Sequence, residues 1–293
     1  MNSLSTPPDL QLSAHTLERH ELQCLPECPF PLPQKDELAF LLAQEPIARG
    51  SKDISFDPVN GRMSGARIYD CQARIRIAEI LGRFSHGVRS WLLASIPEYA
   101  AGLVSDRVSL RSREEATRLT RLRARNDLLH IDHFPTRPSF GRRILRVYAN
   151  IDPVDAHVWS VSERFPELLA RFVARNRIPV RTIEQWISPA HSMLGLLTGR
   201  KVNRSAYDAL MLRLHDLLKE DQGFQMKAAR KVHTFQPGAA WALFADGLAH
   251  AQLRGRFALE HSFFIYSNCL VNPECSPLVL LEATAGSRSR FSA

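Results

Sequence analysis

The sequence lacks the features that define several classes of protein. Its five cysteines are an odd number, and the pairs Cys24/Cys28 and Cys269/Cys275 have spacings that suit a structural zinc site poorly. We therefore expect reduced thiols, which are typical of a cytoplasmic protein. No apolar run approaches the roughly 18 residues of a transmembrane helix, and the first 20 residues contain no signal-peptide core. These absences predict a cytoplasmic protein, with peripheral membrane contact left open.

Acidic residues are outnumbered, which points to the kind of partner the protein binds. The chain has 38 lysines and arginines against 30 acidic residues, a net charge of +8. A basic surface of this kind favours partners that carry phosphate or carboxylate, such as nucleic acid, anionic lipid or an acidic sugar. Composition alone does not choose among them.

The pattern of apolar residues divides the 293-residue chain into four blocks after a polar leader over residues 1–20. Helical spacing predicts a supporting region at about 70–127 and a helical insertion at about 164–222. Strand patterns occupy about 128–161 and 232–267. We predict an α+β fold in one domain over 21–293, a double-stranded β-helix (a cupin-like jelly roll) flanked by helices.

The motif His130-x-Asp132 is the centre of the functional prediction. On an extended segment the two side chains project to the same side, as two ligands of a facial 2-His-1-carboxylate iron site do. The third ligand has to come from a distant strand, and His250 is the candidate. The dyad alone is weak evidence, because about one such match is expected by chance in this composition. A surface or core histidine is the competing interpretation at each position.

A strand over Arg142–Ile151 carries the candidate cosubstrate clamp. Alternation places Arg146, Tyr148 and Asn150 on one face of this strand. A facial triad leaves metal positions open for a 2-oxo acid and dioxygen, and an arginine pairs bidentately with the far carboxylate of such an acid. We therefore predict that Arg146 and Asn150 bind the cosubstrate. The alternative is a solvated arginine on the protein surface.

Four further side chains are candidates for binding an anionic substrate or for lining the pocket. They are Arg137, Arg143, Tyr148 and Trp241. Arginines suit phosphate and carboxylate groups, although a single exposed arginine is more often an ordinary solvated charge.

Several segments taken together resemble the Kdo hydroxylase family, where Kdo is 3-deoxy-D-manno-oct-2-ulosonic acid. The resemblance runs from about residue 20 to 283. It rests on five segments: Ser55–Arg62, His130–Pro138, Gly141–Val147, Tyr207–Asp216 and Phe235–Ala251. It implies a double-stranded β-helix that binds Fe(II) and uses 2-oxoglutarate and O2. The implied reaction is hydroxylation at carbon 3 of Kdo in Kdo-lipid A, a step of lipopolysaccharide biosynthesis in bacteria whose product sugar is called Ko.

Carried over by position, the resemblance assigns roles to individual residues. His130, Asp132 and His250 fall on the iron ligands, and Arg146 falls on the 2-oxoglutarate clamp. It also implies that Arg111 faces the cosubstrate or the sugar, and that Ser262 orients the cosubstrate. The implied location is the cytoplasmic face of the inner membrane, and no nucleic-acid partner is expected.

The sequence departs from the family pattern at three positions. His133 stands where a small residue is expected, and His261-Ser262 replaces an expected Gln-Thr. We expect His133 to crowd the metal site.

Two other functions compete with the oxygenase. One is a non-catalytic basic jelly-roll module that binds an anionic glycolipid or nucleic acid. The other is a jelly-roll enzyme with a different metal, although such sites usually gather more histidines.

Overall fold

A computed structural model of the protein describes residues 11–44, 53–65, 71–112, 121–174 and 204–289, the side chains of 286–289 excepted. These ranges contain seven α-helices: α1 Ala14–Glu18, α2 Lys35–Leu42, α3 Cys71–Ser95, α4 Phe165–Ala174, α5 Ala206–Glu220, α6 Gln222–Lys227 and α7 Pro277–Ser289. They also contain ten strands: β1 Gln23–Leu25, β2 Ile54–Asp57, β3 Arg62–Ser64, β4 Leu103–Arg111, β5 Arg143–Asn150, β6 His157–Arg164, β7 Lys231–Phe235, β8 Ala240–Phe244, β9 Leu248–Arg254 and β10 Ala258–Ile265. None of the described helices combines the length and hydropathy needed to cross a bilayer.

The strands form two antiparallel sheets. The large sheet has the order β1-β8-β5-β10-β4-β2-β3, and the small sheet has the order β7-β6-β9. Side chains from the facing surfaces meet in a core that includes Tyr148, Trp159 and Trp241. The predicted double-stranded β-helix flanked by helices is confirmed.

The central strand β5 shows why this sequence forms an internal sheet. All eight of its residues are buried, and side chains alternate between two faces along a strand. Leu145, Val147 and Ala149 pack outward in the main hydrophobic core, together with α3. Arg146 and Tyr148 therefore point inward, between the sheets.

Each sheet is covered on its outer face by helices. On the large sheet, Ile80, Phe84 and Leu92 of α3 belong to the outward core. On the small sheet, Ala249 and Ala251 of β9 join a second core built from α4, α5, α6 and α7. A polar space remains between the two sheets.

The structure corrects the predicted block boundaries at three places. The region predicted as helical support contains β4, a long strand paired with β10. The block predicted as strand from about 128 begins with a single bridge, between His130 and His250, and its first strand, β5, starts only at Arg143. In the predicted leader, Leu12 and Leu17 are buried and α1 is packed, while residues 1–10 lie outside the described ranges. Most of the predicted helical insertion, residues 175–203, also lies outside them.

Candidate metal centre

Three buried side chains converge between the two sheets. His130, Asp132 and His250 each offer a ligand atom, and these atoms lie within 4.8 Å of one another. His130 Nε2 is 3.5 Å from Asp132 Oδ1, and His250 Nε2 is 4.0 Å from Asp132 Oδ2. Within the described ranges, these residues form the one cluster of this kind.

Backbone hydrogen bonds bring these sequence-distant residues together. The N–H of His130 donates to the carbonyl of His250 at 3.0 Å, and the N–H of His250 donates back at 2.9 Å. The N–H of Asp132 donates to the carbonyl of Ala245 at 2.7 Å. His250 lies inside β9, and the reciprocal pair of hydrogen bonds forms there.

Local hydrogen bonds orient both imidazole rings. Nδ1–H of His130 donates to the carbonyl of Leu128 at 2.7 Å, and Nδ1–H of His250 donates to the carbonyl of Leu248 at 2.9 Å. Since a carbonyl only accepts, the proton sits on Nδ1, and the lone pair of Nε2 faces the cluster. Burial also lowers the pKa of both histidines, so both are neutral, as metal ligands must be.

The donor set fits a divalent iron ion. Two imidazole nitrogens and one carboxylate form the 2-His-1-carboxylate set that binds non-haem iron with open positions. Neighbouring ligands at bond lengths of about 2.1 Å lie roughly 3 Å apart. The three ligand atoms, which lie within 4.8 Å of one another, are therefore close enough for small side-chain shifts to bring them around one ion.

Arg146 lies beside the cluster and is held by two carboxylates. Its Nε is 2.7 Å from Asp132 Oδ2, and its Nη1 donates to Glu260 Oε1 at 2.6 Å and to the Tyr148 hydroxyl at 3.1 Å. Burial acts to raise the pKa of Asp132, but Arg146 and the two histidines bring it well below its usual range. Asp132 is therefore an ionised carboxylate.

Glu260 links two arginines. Its Oε1 accepts from Arg146 and from the Ser262 hydroxyl at 3.0 Å, and its Oε2 accepts from Arg111 Nε at 2.6 Å. Arg111 also donates to Gln252 Oε1 at 2.9 Å. Both arginines are thus fixed side by side next to the cluster, with a buried carboxylate between them.

A cavity of about 660 Å³ opens in front of the cluster. Seven residues predicted from the sequence line it: His130, Asp132, His250, Arg146, Arg111, Arg137 and Tyr148. The cavity is large enough for a drug-sized ligand together with a small acid.

Four other predicted site residues are not on the cavity wall. The Asn150 amide donates to the carbonyls of Asp155 and Phe235, both at 3.0 Å, so it shapes a loop. Arg143 lies on the opposite face of β5, where its Nε donates to Asp246 Oδ2 at 2.9 Å. The structure therefore corrects the predicted cosubstrate role of Asn150 and the predicted substrate role of Arg143.

The other two of these four residues, Trp241 and Ser262, contact side chains of the cavity wall without lining the cavity themselves. The Trp241 ring stacks on Tyr148, with 5.1 Å between ring centroids and an interplanar angle of 7°. It therefore supports the wall rather than forming it. Ser262 reaches the arginines only through Glu260.

Sequence reasoning missed several residues of the cavity wall. Trp159 stacks on His250 at 5.6 Å, and its indole N–H has no partner among the described residues. His215 of α5 donates from Nδ1 to the carbonyl of Ile131 at 2.6 Å, and its ring lies 5.4 Å from that of His130. Glu260 and Gln252 were findable, because alternation places them inward on β10 and β9. His215 was not, because nothing local shows that α5 packs on the metal-binding segment.

The two histidines that depart from the family pattern, His133 and His261, each contact a side chain of a neighbouring helix. His133 Nε2 lies 3.1 Å from Asp208 Oδ1, so the ring is drawn toward α5, although it still lines the cavity. His261 points to the outer face of β10, where its Nε2 is 3.5 Å from the Ser85 hydroxyl of α3. Burial lowers the pKa of His261 to about 3. This side chain belongs to the core and not to the cavity.

Comparison with known proteins adds independent findings. The sequence model of the 3-deoxy-D-manno-oct-2-ulosonic acid (Kdo) hydroxylase family matches residues 4–288. The chain resembles a crystal structure of the Kdo hydroxylase KdoO, a non-haem Fe(II) α-ketoglutarate-dependent dioxygenase, in complex with cobalt(II). The sequences are 33% identical, the match covers 93% of this chain and 89% of that chain, and the TM-score is 0.81.

A second KdoO structure, in complex with α-ketoglutarate and Fe(III), is 32% identical over 93% of this chain and 88% of that chain, with a TM-score of 0.80. The KdoO structure in complex with succinate and Fe(III) is 32% identical over the same shares, with a TM-score of 0.79. No curated protein sequence matches the chain.

Proposed function

The chain belongs to the Kdo hydroxylase family of non-haem Fe(II), 2-oxoglutarate-dependent dioxygenases, and from this premise we propose that it hydroxylates carbon 3 of Kdo in Kdo-lipid A to give Ko. The observation that carries the proposal is the buried cluster of His130, Asp132 and His250 at the base of one cavity with Arg146. A non-catalytic binding module gives this cluster no role.

Each part of the cluster has a proposed task. His130 and His250 present neutral Nε2 atoms, and Asp132 presents an ionised carboxylate, so the three hold Fe(II). Bound iron supplies the redox chemistry that couples oxidation of a 2-oxo acid by O2 to hydroxylation of a C–H bond. Arg146 and Arg111 bind the far carboxylate of 2-oxoglutarate, since their guanidinium groups lie side by side on Glu260.

The buried charges support a dianionic cosubstrate. Arg111 and Arg146 carry two positive charges, and Glu260 and Asp132 carry two negative charges, so the net charge of these four ion-paired side chains is zero. An Fe(II) ion adds two positive charges, and the two carboxylates of 2-oxoglutarate cancel them. A buried site is most stable when its charges are balanced in this way.

The substrate and its location follow from the same premise. Kdo-lipid A is an acidic glycolipid of a membrane, and the chain has a net charge of +8. We propose cytoplasmic action with peripheral contact at the anionic surface of the inner membrane. Arg137 lines the cavity, with its guanidinium 4.0 Å from the centre of the Phe134 ring, and we propose that it contacts the substrate together with Tyr148. We further propose that residues 21–293 act as one catalytic domain.

Turnover with the proposed substrate tests this function. Purified protein with Fe(II), ascorbate and Kdo-lipid A is expected to consume 2-oxoglutarate and to add one oxygen atom to Kdo, as detected by mass spectrometry. His130→Ala is expected to abolish turnover while leaving glycolipid binding largely intact. A wild-type protein that binds Kdo-lipid A but never consumes 2-oxoglutarate would overturn the proposal in favour of a binding module.

A further inference from the structure

The cations of the cavity wall differ in whether they have a partner. Six of them line the cavity: Arg107, Arg111, Arg123, Arg137, Arg146 and Lys219. Five have an acidic or carbonyl partner: Arg111 with Glu260, Arg123 with Asp216, Arg137 with Asp106, Arg146 with Asp132, and Lys219 with the carbonyl of Arg123. Among the described residues, Arg107 has neither a hydrogen bond nor a salt bridge.

A β-bulge aims Arg107 into the cavity. Along the pairing of β4 with β10, Val108 lies opposite His261, but Ser105 lies opposite Phe263. Two residues of β4, Asp106 and Arg107, therefore face the single residue Ser262. Bulges of this kind redirect side chains and are frequent beside active sites.

The acids near Arg107 are already occupied. Its neighbour Asp106 pairs with Arg137, on the other side of the bulge. Asp57 accepts from the Asn60 amide at 2.8 Å and from the N–H of Val59 at 2.9 Å. Burial acts to raise the pKa of Asp57, but its hydrogen bonds and the charge of Arg107 lower it, and among the described residues no salt bridge joins Arg107 to Asp57. A half-buried guanidinium that lacks a direct ion pair gains from an anionic ligand.

A row of hydroxyl groups lies next to Arg107. Ser64, Ser55 and Ser109 face one another across β3, β2 and β4, and Ser109 in turn lies opposite Glu260 on β10. The hydroxyls of Ser55 and Ser109 are 3.0 Å apart, and all three serines line the cavity. At a strand spacing of about 4.8 Å, the row runs for roughly 10 Å away from the arginine pair on Glu260. Such hydroxyls both donate and accept, as the hydroxyls of a sugar require.

We propose that Arg107, with this serine row, is the subsite that binds the anionic group of the substrate sugar and thereby selects an acidic sugar. The cosubstrate carboxylate is accounted for by Arg111 and Arg146, so Arg107 remains for a second anion. That anion is a carboxylate or a phosphate of the glycolipid. This inference rests on the proposed function and adds the residue that determines substrate choice.

The test combines two changes at Arg107 with two changes to the anionic groups of the substrate. Kinetics are measured for wild type, Arg107→Gln and Arg107→Lys with three substrates: Kdo-lipid A, its Kdo methyl ester, and Kdo-lipid A without lipid phosphates. Arg62→Gln is the matched control, since Arg62 is an exposed arginine on β3 and is not part of the cavity wall.

Losing a hydrogen-bonded charge is expected to raise the KM for Kdo-lipid A at least about tenfold in Arg107→Gln. Arg107→Lys is expected to fall between wild type and Arg107→Gln. The KM for 2-oxoglutarate should stay unchanged in every variant, which also shows that the variants are folded. Wild type should discriminate against one modified substrate, and Arg107→Gln should lose that discrimination. If Arg107→Gln no longer discriminates against the methyl ester, the bound group is the carboxylate. If it no longer discriminates against the dephosphorylated lipid, the bound group is a phosphate.

Two results overturn parts of the scheme separately. If wild type turns over and Arg107→Gln retains wild-type KM and discrimination, the role of Arg107 is wrong while the proposed function stands. If wild type does not consume 2-oxoglutarate, the proposed function and the role of Arg107 both fail. Should Arg107→Gln not fold, Arg107→Lys and the ester comparison on wild type decide the question.

Discussion

At the scale of single residues, the proposed metal centre depends on hydrogen bonds that the candidate ligands make with neighbouring protein groups. The carbonyls of Leu128 and Leu248 fix the tautomers of His130 and His250. Arg146 fixes the charge state of the third candidate ligand, because it keeps Asp132 ionised. It also pairs with Glu260. One guanidinium thus serves the metal ligand and the proposed cosubstrate site together.

We expect Arg146→Lys to weaken 2-oxoglutarate binding. Lysine keeps the charge but loses the planar fork that reaches Asp132, Glu260 and the cosubstrate at once. The KM for 2-oxoglutarate should rise about tenfold or more, with a smaller effect on the KM for Kdo-lipid A. Steady-state kinetics check this, and Arg142→Lys is the control because Arg142 stacks on Phe264 outside the cavity. Equal effects of the two variants would argue against the clamp.

His261 makes stability depend on pH. Burial lowers its pKa to about 3, whereas an unfolded histidine titrates near 6.5. Below pH 6.5 the unfolded chain binds a proton that the folded chain does not, so the free energy of unfolding decreases as pH falls from about 6.5 toward 3. At pH 5 this loss amounts to about 2 kcal/mol.

Replacement of His261 by glutamine is expected to remove this contribution. Between pH 7 and pH 5, His261→Gln should lose about 2 kcal/mol less stability than wild type in urea unfolding. His86→Gln, an exposed change on α3, is the control. Parallel pH curves for His261→Gln and wild type would contradict the assignment.

At the scale of elements, the start of α5 is tied to the metal-binding segment. Ser205 and Asp208 form a capping box, a motif that the Ser-x-x-Asp spacing indicates. Asp208 Oδ1 also accepts from the N–H of Ser139 at 2.7 Å and lies 3.1 Å from His133 Nε2. Burial acts to raise the pKa of Asp208, but His133 and Ser205 hold it at about 2. The capping carboxylate thus connects a helix, a loop and the residue after Asp132.

Asp208→Asn is expected to destabilise the protein by about 3 kcal/mol, because a buried carboxylate with several donors is replaced by an amide. The loss should shrink below about pH 4, where wild-type Asp208 itself begins to lose its contribution. Chemical denaturation at several pH values measures this. Asp216→Asn on the same helix should cost much less, since its partner Arg123 is exposed. An Asp208→Asn variant as stable as wild type would show that the network is not stabilising.

Elements were predictable where their pattern is local. The alternation of β5 and the capping box of α5 appear in the structure because each is set by neighbours a few residues away. β4 was missed, because its flanking sequence is rich in arginine and its partners, β10 and β2, are distant in sequence. The isolated bridge of His130 was read as a strand for the same reason, since only His250 pairs with it.

At the scale of the molecule, the two ends of the described chain are joined. Buried Glu18 accepts from the Tyr99 hydroxyl at 2.8 Å, from the N–H of Val271 at 3.0 Å and from the N–H of Asn272 at 2.5 Å. The segment before the first strand is therefore part of the folded unit, and it fastens the loop before α7.

Glu18→Gln is expected to lower the free energy of unfolding by about 2 kcal/mol, since glutamine replaces one acceptor oxygen by a donor and leaves buried groups unpaired. Hydrogen exchange should accelerate at Val271 and Asn272 while the strands of the large sheet keep their protection. Glu21→Gln is the control, because Glu21 pairs with Arg164 at the surface. Unchanged exchange at Val271 and Asn272 would contradict the role of Glu18.

The sequence by itself determined the parts of this protein that short-range chemistry controls. The His130-x-Asp132 spacing on an extended segment, the inward face of β5 with Arg146, and the jelly-roll pattern of strands and helices all follow from side-chain periodicity. Tertiary structure decided what depends on distant partners: Arg143 points away from the cavity, Asn150 holds a loop, and a bulge in β4 lies at Arg107 on the cavity wall. The register of strand pairing and the balance of buried charges each depend on several strands that are distant in sequence. They therefore cannot be predicted from any single segment.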